Sequence, residues 1–116
     1  MKKLENHLIG IEQGSPLLFS DFKEGGDMWS GTGPREVRHT VTFSQPFKSP
    51  PSVQVGISMW DMDQKTNIRA DITAVDITPK GFTILFSTWA DTRIARIRAS
   101  WMAIGETSHE DDWNLY

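Results

Sequence analysis

The chain has 116 residues, 38% hydrophobic and 23% charged, a size and mix that fit one core and exclude a second domain, a collagen-like repeat and a wholly disordered chain. There is no cysteine, which removes disulfide frameworks, thiolate zinc sites, iron–sulfur clusters and cysteine nucleophiles. The net charge of −3 is uneven. Glu106, Glu110, Asp111 and Asp112 sit in residues 105–116, which lack Lys and Arg, and the remaining body is close to neutral. A near-neutral body argues against nucleic acid as a partner, since that binding needs a clustered basic surface.

Lys2 and Lys3 precede Leu4-Glu5-Asn6-His7-Leu8-Ile9, in which polar groups break the apolar run. No secretory signal pattern is present. The expected setting is the cytoplasm, or release without a classical signal. No apolar stretch approaches the ~18 residues of a membrane span, so no membrane insertion is expected. Leu8–Ile11 and Leu17–Phe19 supply one short strand, and residues 20–34 read as a long glycine-bearing loop. From 35 to 43, Val37, His39, Val41 and Phe43 alternate with Glu36, Arg38, Thr40 and Thr42, the period of a strand with one wet face. Gln45–Pro51 breaks the ladder. A second strand over about 52–60 places Val53, Val55, Ile57 and Met59 on one face.

After the polar turn Asp61–Lys65, a strand is predicted from about 66 to 77, with a bulge near Val75 where the apolar phase shifts. Thr78-Pro79-Lys80-Gly81 signals a hairpin. Residues 82–89 are apolar on both faces and read as a central strand. The last strand, about 93–104, has Ala95, Ile97, Ala99, Trp101 and Ala103 on one face and Arg96, Arg98 and Ser100 on the other. The sum is all-β: a six-stranded antiparallel sandwich in a single domain. Residues 1–34 are its N-terminal strand and loop, 35–104 its core and 105–116 an acidic tail. That tail is either a solvated end or an arm docking through Trp113, Leu115 and Tyr116.

No catalytic set is present. His7, His39 and His109 are scattered, with no serine or carboxylate at a nucleophile-and-base spacing and no zinc pattern. His39 alternates with valines and reads as a half-buried strand residue. Asp61 and Asp63 resemble the start of a calcium loop that is not continued, so no metal or cofactor is expected. Gly31-Thr32-Gly33 is too short for a phosphate cradle. Among Arg93, Arg96 and Arg98, two readings stand: a solvent face paired with acids on a neighbouring strand, or a ring of arginines about a symmetry axis. The most informative group is Trp89, Asp91 and Arg69. An indole can stack on a sugar ring's C–H face while arginine and aspartate fork to its hydroxyls. The same residues equally describe an indole capping the core beside an exposed ion pair worth ~0–1 kcal/mol.

Three stretches resemble the H-type lectin domain of a snail agglutinin and of the discoidin C-terminal domain. They are Val41-Thr42-Phe43-Ser44-Gln45-Pro46-Phe47 with Pro50-Pro51-Ser52-Val53; Asn67-Ile68-Arg69; and Gly81-Phe82 with Thr88-Trp89-Ala90-Asp91-Thr92 and Ser100-Trp101-Met102-Ala103-Ile104. Gln13-Gly14 and Asp27-Met28-Trp29-Ser30-Gly31 are similar to the family's opening. The resemblance implies a homotrimer or hexamer and metal-free sites for galactose or N-acetylgalactosamine between protomers. It gives Arg69 the role of binding sugar hydroxyls and Trp89 that of contacting the sugar. Three family contacts are replaced: a histidine by Ala90, an aspartate by Thr32, and an aromatic residue by Ala95. Asp27 would stand in for the aspartate only in a rearranged loop.

The reading is a non-enzymatic carbohydrate-binding module acting multivalently, with a glycan ligand held by Arg69, Trp89 and Asp91 and a rim of Ser30 and Thr32. Asp91 is expected to orient Arg69 or to accept from a hydroxyl. The rival is a structural trimerisation subunit with a degenerate sugar site. An enzyme is disfavoured, because only Asp71 and Asp91 lie near the site and glycoside hydrolysis needs two carboxylates across a bond.

Overall fold

The computed structural model describes residues 1–5 and 7–108. It is a sandwich of two antiparallel sheets: β1 (Ile9–Gly14), β2 (Leu17–Ser20), β4 (Ser52–Met62) and β7 (Ile94–Glu106) in one, β3 (Arg35–Thr42), β5 (Asp71–Thr78) and β6 (Gly81–Thr88) in the other. The count is seven rather than six, because Ser15 and Pro16 split the N-terminal strand. β1 pairs with the far half of β7, Gly14 opposite Trp101. β2 pairs with its near half, Ser20 opposite Arg96. Proline has no N–H to continue the ladder, but its carbonyl still accepts from Ala99 at 3.0 Å.

β7 is the centre of its sheet, with β4 along its other edge. It inserts Ile97, Ala99, Trp101 and Ala103 into the core, all under a tenth exposed. β6 is the centre of the second sheet, as its two-sided apolar pattern predicts. Phe82, Ile84 and Phe86 face the core and are 2%, 0% and 0% exposed. Phe43, Phe82 and Trp101 form an aromatic cluster with centroids 5.3–6.0 Å apart. Burial of such groups at roughly 25 cal/mol per Å² is what holds the two sheets together.

Three expectations change. A register shift between Ile57 and Met59 moves Met59 from the core face to the outer face, opposite Arg98. The strand predicted over 66–77 starts only at Asp71, so Arg69 lies in an irregular approach to β5 rather than on a strand face. A one-turn helix, α1 (Asp27–Ser30), interrupts the loop over 20–34 and buries Met28 under the sandwich. The bulge near Val75 is present: the register shifts between Val75 and Thr78, Asp76 takes φ +53°, and Ile77 returns to the core. β7 also runs two residues into the acidic segment, to Glu106. The apolar groups Trp113, Leu115 and Tyr116 lie outside the described residues, as does His109.

The β5–β6 turn is Pro79-Lys80, with the Thr78 hydroxyl oxygen accepting from the Lys80 and Gly81 N–H groups at 3.1 and 3.2 Å. Gly81 is required there. A Cβ on it would lie 2.2 Å from the Val41 carbonyl oxygen of β3. Gly81→Ala is therefore expected to cost about 1–3 kcal/mol, since a backbone atom must move. Urea unfolding measures this, and an unchanged midpoint would show that β3 and β6 separate there at no cost.

Candidate functional site

The site is a corner where β6 ends. Thr88 keeps the inward parity of Phe82, Ile84 and Phe86 and is 1% exposed. Trp89, beyond it, is 41% exposed. Ala90 takes φ +60°, a left-handed conformation that turns the chain before Thr92 dives back, 0% exposed. A β-carbon in this region is unfavourable, so the surroundings must hold it.

Two buried threonines do much of that. The Thr88 hydroxyl donates to the Arg69 carbonyl at 2.5 Å. The Thr92 hydroxyl donates to the Asn67 carbonyl at 2.5 Å and accepts from the Arg69 N–H at 3.1 Å. Side-chain hydroxyls thus replace the strand ladder over 67–69. Arg69 is fixed by its backbone at the Trp89 corner while its side chain is exposed, with no ion pair among the described residues.

Arg35 does the rest. It is 7% exposed. Its guanidinium donates to the carbonyls of Gly33 (2.9 Å), Asp27 (3.3 Å), Met28 (3.2 Å), Ala90 (3.4 Å) and Thr92 (2.8 Å). One side chain therefore ties α1, the loop before β3 and the Trp89 corner together. The Gly33 N–H adds a bond to the Ala90 carbonyl at 2.8 Å.

Of the predicted residues, Arg69, Trp89 and Asp91 share this corner, and Thr32 is exposed beside Gly33, which is bonded to it. Asp91 does not reach Arg69. Its carboxylate accepts from the Asn67 amide at 3.3 Å. Ser30 does not offer a free hydroxyl donor, because it donates back to Gly25 and Gly26 carbonyls at 2.7 and 3.0 Å. Arg35, Thr88 and Thr92 were missed. For two of them the parity of the strand carried the signal: Arg35 is in phase with Val37 and Val41, Thr88 with Phe86.

One recess borders the corner and a second lies between α1, β4 and β7. One, about 360 Å³, is lined by Pro34, Arg35, Glu36, Ser87, Thr88 and Trp89. The other, about 480 Å³, lies beneath Phe22 and Trp29 over Ala95, Met62, Asp61 and Arg96. Phe22 and Trp29 meet edge to face at 4.9 Å. Arg93 covers Trp29 with its guanidinium 4.5 Å from the ring, donates to the Trp29 carbonyl at 2.9 Å and pairs with Asp63 at 3.7 Å. Arg96 pairs with Asp61 on β4 at 3.2 Å. The plain reading of the arginines thus describes Arg96, whereas Arg93 precedes β7 and pairs with an acid just past the end of β4. Arg98 has no such acid among the described residues. Nor do these residues gather three His, Asp or Glu side chains fit for a metal.

The described residues thus form a two-sheet sandwich with an exposed indole at a pinned corner. Residues 38–104 match the H-type lectin domain, and the chain belongs to that family, a non-enzymatic lectin fold related to discoidin. It is 60% identical over 107 residues to "ATP synthase subunits region ORF 7" of Fuscovulum blasticum, covering 92% of this chain and 93% of that one. It is 33% identical over 97 residues to a Discoidin-1 protein of Dictyostelium discoideum, covering 76% of this chain but 38% of that protein. Among solved structures, wild-type discoidin II of Dictyostelium discoideum superposes with a TM-score of 0.76 at 24% identity, over 92% of this chain and 40% of that one. No helix among the described residues is long and apolar enough to cross a membrane.

Proposed function

We propose that the chain binds glycans of the galactose or N-acetylgalactosamine class, as a homo-oligomer, with Trp89 as apolar platform and Arg69 as donor to ring hydroxyls. The observation that carries this is the Trp89 corner itself. A largely apolar ring, 41% exposed, is held in a strained turn by buried hydroxyls and by Arg35. A site pre-ordered in this way loses little entropy on binding. It is also shallow and wet, so single-site affinity is low and multivalency supplies avidity.

The oligomer has its own support on the outer face of the four-stranded sheet. There the rows Ile11–Ile104–Ser52, Gln13–Met102–Gln54 and Leu17–Arg98–Met59 gather apolar and neutral groups around Arg98, and the charges of the next row, Arg96 and Asp61, pair with each other at 3.2 Å. Ile11 and Leu17 are 62% and 49% exposed. A face of this kind tolerates its own copy.

The test joins light scattering to a glycan array on one sample. The expected result is a trimer or hexamer that binds neutral galactosyl glycans, with Trp89→Ala and Arg69→Ala each weakening binding at least 30-fold, about 2 kcal/mol, and leaving the oligomer intact. An oligomer that binds no glycan, with assembly unchanged in Trp89→Ala, would instead support a structural role in a larger assembly, for which the substitutions Thr32, Ala90 and Ala95 already speak.

A further inference from the structure

We propose that sugar hydroxyls are also read from the β3 side of Trp89, by the Glu36 carboxylate and the Ser87 hydroxyl; this rests on the reading of Trp89 as the sugar platform. The two flanks of the corner differ in the sheet. β6 lies between β3 and β5. Arg69 leads into β5 and so approaches from that side. On the β3 side the chain leaves a recess of about 360 Å³, at the lower end of the roughly 300–1,000 Å³ of small-ligand sites. Glu36, Ser87 and Trp89 all line it. Thr88 faces the core, so Ser87 and Trp89, on either side of it, share the opposite phase of the strand.

Glu36 and Ser87 are direct cross-strand partners, which sets their Cβ atoms roughly 5 Å apart. That spacing lets adjacent hydroxyls of one ring meet a carboxylate acceptor and a hydroxyl together. Glu36 is available for this. Its side chain is 54% exposed, and its only partner among the described residues is Arg38, at 3.3 Å on one oxygen. Such a pair re-aims at almost no cost. Asp71 is the next residue in the row, opposite Ser87. Its carboxylate makes no hydrogen bond or ion pair among the described residues, and Arg69 lies two residues before it, so the charges at this end of the sheet are mixed.

The experiment uses the full chain on an array of galactose- and N-acetylgalactosamine-terminated glycans. Glu36→Gln is expected to weaken binding about tenfold. Ser87→Ala is expected to weaken it about threefold. Both positions are on the outer face, and unfolding midpoints confirm that the variants fold. If Glu36→Gln and Ser87→Ala both bind like wild type while Trp89→Ala does not, this proposal is wrong and the Trp89 reading stands. Unimpaired binding by Trp89→Ala, or no glycan bound by wild type, overturns both.

Discussion

Arg35→Ala is expected to lower the unfolding free energy by about 3–5 kcal/mol, a large share of the roughly 5–15 kcal/mol a domain of this size possesses. The guanidinium is 7% exposed and has no carboxylate partner among the described residues. Its charge is balanced by five carbonyl dipoles, those of Asp27, Met28, Gly33, Ala90 and Thr92. Hydrogen bonds to a charged group contribute about 1.5–3 kcal/mol each, and deleting the donor leaves carbonyls in a site water cannot easily refill. The bonds are not additive, because losing the arginine lets α1 and the corner relax together. Arg35→Lys is expected to recover less than half of the loss, since an ammonium has three donors and no planar fork. Urea unfolding gives the number, and the thermal midpoint should fall by roughly 4–6 °C per kcal/mol. A loss below about 1 kcal/mol would mean that the carbonyls find other donors and that Arg35 is not the tie between the helix and the corner.

What alternation could show in this chain, it showed. Strands with one wet face or an apolar core run are visible because side chains alternate across the pleat, and the central place of Phe82–Phe86 in its sheet follows from that rule. The failures lie where the backbone leaves the ladder. Asn67–Ala70 alternate as a strand does, yet side-chain hydroxyls from Thr88 and Thr92 hold them instead of a neighbouring backbone. Met59 changes face through a register shift that leaves no trace in composition. The one-turn helix at Asp27–Ser30 has no side-chain N-cap and too few residues to show a period. For the candidate site, the sequence pointed to Trp89 and Arg69 but not to their setting. The partner of Asp91 proved to be Asn67, a pairing set by how loop 67–69 docks, and no spacing in the chain encodes it.

The same docking yields the second large effect. Thr88→Val and Thr92→Val together are expected to cost about 4 kcal/mol and to release Arg69 from the corner. Valine matches threonine in shape, so the core keeps its packing and only the hydroxyls are lost. Three backbone groups then stand unpartnered: the Asn67 carbonyl, the Arg69 N–H and the Arg69 carbonyl. Each orphaned group costs about 1–3 kcal/mol where water is excluded, and both threonines are at most 1% exposed. Less than the full sum is expected, because residues 66–69 are partly exposed and can swing out to solvent. That escape separates two consequences. Stability falls by what the buried hydroxyls lose. If Arg69 binds sugar as proposed, sugar binding falls further than stability alone explains, because the freed Arg69 must be re-ordered each time a ligand arrives. Amide hydrogen exchange at Arg69 should quicken in the double variant while amides of β6 and β7 keep their rank order. If glycan affinity drops no more than the folded fraction does, Arg69 acts from a loop that needs no anchoring, and the corner's rigidity is not what makes the site.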